Sequence, residues 1–373
     1  MKAMLAAVGN GAAAFGQHFV DIAHELAAAR LTGERALVCT AAALSVALAV
    51  TLAQAASLDN PWWAGISGLV ASQATRPASI ARSILRIIGT AIGTGLGCVA
   101  IALFAYDHVA LCLFLFAVSS IAMLGFSVSP HSYAWLLGGL NATIIVIMAM
   151  DDPSRTPFIA FDRLAEVALG CVAAVLVALA LAPGGEPAAA AVPPGWRDLL
   201  GAGWPAVQHA VRCGIAVVVV LLIWNFLDLP SLSQIAITVT AVMAVPVTAA
   251  NDRLDMRGIV TGRAIQRLIG CLLGGVLGLL CLGMQLTSHA LWLLVLFGGV
   301  WICVHVQASK AAISYAGNQA AIVFIVTIAQ GFGPPTSILP GIDRFAGILG
   351  GLAVLLVLGL VLWPGPEAED PAR

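Results

Sequence analysis

The chain has 373 residues, 61% of them hydrophobic and only 9% charged, with a mean hydropathy of +1.01 and a formal net charge of −1. A soluble domain carries about 25% charged residues, so the composition excludes a water-soluble fold and requires lipid as solvent. A net charge this close to zero also excludes bulk attraction to nucleic acid, and no nucleic-acid partner is expected.

Residues 1–34 precede the long apolar segments. Phe15, Phe19, Ile22 and Leu26 recur on one helical face, which predicts an amphipathic helix over 12–30 lying on the membrane surface, cytoplasmic and uncleaved. Residues 35–182 hold six apolar segments: 36–56, 62–75, 84–105, 109–127, 132–150 and 160–182. A hydrocarbon core of about 30 Å needs roughly 20 apolar residues per helix. Segment 62–75 is short for this and contains Ser67, Ser72 and Gln73, so it reads either as a span or as a half-helix that dips in and out. Residues 183–206, rich in Pro, Gly and Ala, predict a flexible cytoplasmic linker. Six further segments fill 207–363: 207–227, 231–250, 264–284, 289–307, 313–330 and 342–363. The acidic, Pro-containing tail 364–373 predicts disorder.

The two halves are copies of one unit. Arg82, Arg86, Gly89, Gly93 and Gly97 recur as Arg263, Arg267, Gly270, Gly274 and Gly278, each 181 residues later. Asp162-Arg163 recurs as Asp343-Arg344 at the same offset, and Tyr133-Ala134 as Tyr315-Ala316 with one extra residue. With every segment crossing and the N-terminus inside, only Arg155, Arg163 and Arg344 of the 17 basic residues lie outside, a strong positive-inside bias. The expected fold is therefore all-α and polytopic. It has about twelve transmembrane helices in two parallel six-helix repeats with pseudo-twofold symmetry, both termini being cytoplasmic.

Few side chains can carry chemistry. Each arginine pair, Arg82/Arg86 and Arg263/Arg267, has i, i+4 spacing on one helix face. Arg82 and Arg263 are explained as interfacial anchors. Arg86 and Arg267 lie a turn deeper, above a stripe of small residues that either packs helices closely or borders an anion pathway. Asp162-Arg163 and Asp343-Arg344 open the last span of each half as interfacial ion pairs or as forks for a carboxylate. Glu166, one turn inside Arg163, is a local ion-pair partner or a proton carrier. Asn141, Asn318, Gln319, Gln73 and Gln234 either bond helix to helix or line a passage. Trp62 and Trp63 fit an interfacial aromatic belt, and His305 a hydrogen-bonded bundle histidine. The eight cysteines form no CxxC pair and read as buried side chains. There is no GxxxxGK[ST], HExxH or nucleophile elbow, so no enzyme, cofactor or metal is expected, and transport would run on ion gradients or passively.

Pro61-Trp62-Trp63-Ala64-Gly65-Ile66-Ser67, Arg86-Ile87-Ile88-Gly89-Thr90-Ala91-Ile92-Gly93 and Arg163-Leu164-Ala165-Glu166 together resemble the fusaric acid resistance protein-like superfamily, which includes the aromatic acid exporters. A more distant resemblance is to the membrane part of plant aluminium-activated malate transporters. It covers 35–182 well and 207–363 loosely, where Leu229-Pro230-Ser231 replaces the Trp pair and Cys271 replaces Thr90. The resemblance implies a bacterial inner-membrane exporter of organic, often aromatic, carboxylates. An uncoupled channel and a non-transporting assembly subunit are the alternatives. The implied partners are the organic anion, the lipid bilayer, and a second copy of the chain or a periplasmic adaptor. The large cytoplasmic domain common in that superfamily is replaced here by the linker 183–206.

Overall fold

The computed structural model describes residues 2–185, 196, 204–227, 232–245, 253–310, 313–334, 337, 339, 342, 345–347 and 349–353. Among the described residues the named elements are twelve α-helices and one 3₁₀ turn, Pro153–Arg155. The helices are α1 Lys2–Ala27, α2 Glu34–Ala55, α3 Pro61–Ala71, α4 Arg76–Phe104, α5 His108–Val128 and α6 Ser132–Ala149, then α7 Thr156–Leu181, α8 Trp204–Leu227, α9 Leu232–Met243, α10 Arg253–Gly283, α11 His289–Gln307 and α12 Ser314–Ile328. The linker 183–206, the last predicted span 342–363 and the tail 364–373 lie largely or wholly outside the described residues.

The helix ends follow from local chemistry. Asp107 accepts the Val109 and Ala110 amides at 3.1 and 3.0 Å and starts α5. Pro61 begins α3, where its fixed φ and missing N–H cost nothing. Gly33, at φ 98°, turns the chain from α1 into α2 in a conformation that side-chain-bearing residues avoid.

Among the described residues, eight helices are long and apolar enough to cross a bilayer: α2, α4, α5, α6, α7, α8, α10 and α11. The twelve full spans expected from sequence are not met by helix length at α3, α9 and α12, which have 11, 12 and 15 residues. In α3 the helix stops because Ser72 turns to an extended conformation. Yet segment 60–76 is anchored at both ends against α7. The Asn60 amide donates to Glu166 at 3.0 Å, and the Arg76 amide to the Pro183 carbonyl at 3.1 Å. Half-helix plus extended segment thus runs beside residues 166–183, a rise of about 25 Å at 1.5 Å per residue. Irregular backbone of this kind persists where protein surrounds it, and every residue of α3 except Val70 is buried.

The described helices form two compact units. In the first, α2 packs on α3 and α11, α11 on α12, and α12 on α3. The second packs α5 on α6 and α8, α8 on α9, and α6 on α9. Each unit therefore draws helices from both sequence halves. The contacts correspond in chain order: the first long helix of one half lies on the fourth of the other, and the second on the fifth.

The glycine stripes pack third helix on fifth in both halves. A Cβ at Gly89, Gly93 or Gly97 would come within 2.5, 2.3 and 2.7 Å of Ala134 O, Gly138 O and Ile145 Cβ. At Gly270, Gly274 and Gly278 the corresponding atoms are Ala316 O, Ala320 O and Thr327 Cβ, at 2.2, 2.2 and 2.8 Å. Small residues that admit a neighbouring backbone are how helices associate where lipid supplies no hydrophobic drive.

The N-terminal helix corrects an expectation. Phe15, Phe19 and Ile22 do form one face, but that face packs on Ile269, Val306, Ile313 and Ala316 of the protein rather than on the membrane surface.

Candidate functional site

Within the first unit, α3 meets one face each of α4 and α7. In α7, Arg163, Glu166 and Gly170 fall at i, i+3 and i+7 on that face. Gly170 sets the approach, because a Cβ there would lie 2.3 Å from the Ala64 carbonyl oxygen and 2.5 Å from Ser67 Cβ. With the backbones this close, the two preceding turns of α7 reach the start of α3. Glu166 Oε1 accepts the Asn60 amide. The Arg163 guanidinium carbon sits 3.3 Å from the centroid of the Trp63 ring, well within cation–π range. One turn along α3, Ser67 Oγ donates to the Trp63 carbonyl at 2.8 Å and accepts from Arg86 Nε at 3.1 Å.

A continuous chain of contacts thus joins Arg86, Ser67, Trp63 and Arg163. The sequence placed Arg163 outside and Arg86 among the inward-facing cations; in the structure both reach α3 through this chain. Arg86 lies ten residues along α4 from Arg76, about 15 Å of helix rise. Glu166 attracts Arg163 and feels Asp162 and Asp59 nearby. Arg86, Arg163 and Glu166 are 5%, 4% and 1% exposed. Each buried charge costs several kcal/mol unless it is compensated. With Asp162 and Asp59 near Glu166, the cluster holds charges of both signs.

The other candidates fall elsewhere. Arg267, in α10, donates to the Gln319 side-chain oxygen of α12, and both residues are buried. Asn141 donates to Thr90 Oγ1 at 3.3 Å and to the Leu137 carbonyl at 2.8 Å, tying α6 to α4. Asn318 is half-buried on α12, and Asp162 is half-buried beside Arg163. Gln73 bonds the Val70 and Ser72 carbonyls at 2.9 and 3.0 Å and holds the turn after α3. Asp343 and Arg344 lie outside the described residues, as does the side chain of Gln234. Trp62 and Trp63 are buried, 5% and 8% exposed, so they are not an interfacial belt. His305 is buried and stacks on Trp301, with its ring beside Glu25 and Arg35.

Sequence reasoning missed Asn60, and missed Trp63 and Ser67 as a platform. The i, i+4 spacing of Trp63 and Ser67 behind an Asn-Pro helix start was the available signal. An apolar cavity of about 450 Å³ in the second unit, lined by Ile92, Leu96, Phe114, Val118 and Trp135, presents no charged donor to hold a carboxylate.

Long apolar helices, close glycine packing and buried charged side chains define a multi-pass helical membrane protein. Residues 39–200 match the fusaric acid resistance protein family. The chain is similar to the p-hydroxybenzoic acid efflux pump subunit AaeB of Escherichia coli O9:H4 (strain HS), at 32% identity over 161 residues. With the same-named subunit of Escherichia coli strain K12 the identity is 31% over 157 residues. In both cases the alignment covers 38% of this chain and 23% of the relative, so the match spans about a quarter of those relatives' length. No solved structure matches the chain.

Proposed function

We propose that this chain acts in a bacterial inner membrane as an exporter of aromatic carboxylates, with Arg163 and Arg86 as the groups that meet the substrate carboxylate. The observation that carries this reading is the buried chain of contacts Arg86–Ser67–Trp63–Arg163, which brings two guanidiniums to one aromatic helix start. Stacking on Trp63 fixes the plane of the Arg163 guanidinium, whose fork matches the geometry of a carboxylate. The relatives named as p-hydroxybenzoic acid efflux subunits support the substrate class. The corresponding helix contacts in the two units and the repeated glycine packing support a duplicated architecture of six segments per half. The positive-inside distribution supports cytoplasmic termini.

Glu166 is the proposed site of proton coupling. It competes with the substrate for Arg163, and its release from the cation when substrate binds favours proton uptake. A channel reading differs at this residue, because an uncoupled pore conducts independently of Glu166.

The test is flux per folded molecule in proteoliposomes, using p-hydroxybenzoate. Arg163→Ala removes a charge-assisted contact and should lower flux per molecule about tenfold or more. Arg163→Lys keeps the charge, loses the fork and should fall between. Glu166→Gln should retain counterflow but lose dependence on the proton gradient. Loss of folded protein with normal flux per molecule in Arg163→Ala would assign these charges to structure alone.

A further inference from the structure

The second unit holds a cavity that the reading above does not use. It has a volume of about 450 Å³ and is lined by Ile92 and Leu96 of α4, Phe114, Val118 and Ile121 of α5, and Trp135 of α6. Of all its lining side chains, only that of Trp135 carries a nitrogen or an oxygen. A trapped water needs about two to four polar partners, so water does not fill this space.

Three observations point to what does. The first is where the cavity opens. Ile88, Ile92, Leu96, Val99 and Leu103 recur at i+3 or i+4 along α4, and all five are exposed. Helices α4, α5 and α6 are each long and apolar enough to cross a bilayer, so such a stripe faces hydrocarbon. Ile92 and Leu96 belong both to the stripe and to the cavity wall, and Ile121 and Trp135 of the wall are exposed as well. The cavity is therefore a groove that opens sideways into lipid.

The second is size. A methylene fills about the volume of a water, roughly 30 Å³, so the 450 Å³ of the groove takes about fifteen of them, a whole acyl chain rather than one ring. Along α5 the wall runs from residue 114 to residue 122, about 12 Å of rise, against about 15 Å for one leaflet of the hydrocarbon core.

The third is that the walls are built. Gly125 makes room for the Trp135 ring, since a Cβ there would lie 2.3 Å from its Cδ2 atom. The Trp196 ring packs on the same indole, with centroids 5.7 Å apart. At Gly138, which lines the groove, the Cβ position meets one atom within 4 Å, the Gly89 carbonyl oxygen at 3.7 Å. An unfilled groove would forfeit the dispersion contacts of all these walls.

We propose that the groove between α4, α5 and α6 is a binding site for one acyl chain of a membrane phospholipid. The chain enters from the side, lies along α5 and is retained while lipids around the rest of the protein exchange. The site does not depend on the cluster at Arg163, and its test needs no transport.

The full chain is reconstituted in vesicles of phosphatidylethanolamine and phosphatidylglycerol containing a phospholipid with a mid-chain diazirine, and labelled peptides are mapped by mass spectrometry after irradiation. Val172, Leu176 and Leu179 of α7 are exposed and report ordinary contact with lipid. Labelling of 114–122 and 134–139 should exceed theirs about threefold or more, the preference that roughly five extra carbon–carbon contacts give. Ala117 lines the groove and is exposed, so Ala117→Trp fills the groove without entering the core. It should bring labelling of 134–139 down to the α7 level. If that variant does not fold, Gly138→Leu fills the groove from the opposite wall and should do the same to 114–122. Groove labelling no higher than that of α7, or unchanged in the folded variant, would overturn the proposal. So would its loss on adding benzoate, which would give the groove to an aromatic acid, or its absence in a chain that cross-links as a dimer, which would give it to a second copy.

Discussion

Glycines 93 and 274, one in each stripe, approach a neighbouring backbone closely and make a quantitative prediction. A Cβ at Gly93 would stand 2.3 Å from the Gly138 carbonyl oxygen, and one at Gly274 would stand 2.2 Å from that of Ala320. Ordinary contact begins near 3.4 Å, so an alanine forces each helix pair about 1 Å apart. The obstructing atom is backbone, so no rotamer change can relieve it. Overpacking of this kind costs about 1–3 kcal/mol, while replacing a helical glycine by alanine returns about 0.5–1 kcal/mol. Gly95 is the internal control: it lies on the same helix as Gly93, and nothing stands within 4 Å of its Cβ position. Gly93→Ala and Gly274→Ala should therefore lower the melting temperature of the detergent-solubilised protein by several degrees, and Gly95→Ala should hold or raise it. Melting curves from intrinsic fluorescence, checked by the monodisperse fraction after heating, provide the measurement. If all three alanine variants melt alike, the glycine stripes do not set the α4–α6 and α10–α12 distances.

Two further outcomes follow from named contacts. Asp107→Ala removes the side chain that accepts two amides at the start of α5, and should cost about 1 kcal/mol in chemical unfolding; Asp107→Asn should recover most of it, and equal loss in both variants would contradict the capping role. The Ser309 hydroxyl and then the Arg35 guanidinium hold the Glu25 carboxyl below its ordinary value of 4.5. A depressed carboxylate adds stability that is present above the unfolded-state value and is lost as pH falls through the folded-state one. The melting difference between wild type and Glu25→Gln should therefore stay flat from neutral pH to about 4.5 and shrink below it. A difference that grew in acid would contradict the ion pair.

Much of the architecture was legible in one dimension. Apolar runs set the positions of most helices because lipid demands continuous hydrophobic length, and that demand is written residue by residue. The repeat was legible because Arg86, Gly89, Gly93 and Gly97 keep their spacing in the second half. Their purpose was not: whether a small-residue stripe faces a partner helix or a pathway depends on what stands opposite, and α6 and α12 stand there. Hydropathy left open whether 62–75 is a span or a half-helix, since a short helix continued by extended chain is as apolar as a long one.

Burial and neighbourhood are properties of the assembled chain, and there the tertiary structure decided. Phe15, Phe19 and Ile22 form an amphipathic stripe in any environment; only packing chose protein over lipid as its partner. Trp62 and Trp63 have the composition of an interfacial belt, yet α3 carries them inside. Arg86 and Arg163 lie on different helices, and their meeting depends on Gly170 letting α7 rest against α3. The sequence by itself determined which groups are charged and which faces are apolar. Which charges share one low-dielectric pocket, and so whether they repel or pair, was decided by the distances that folding imposed.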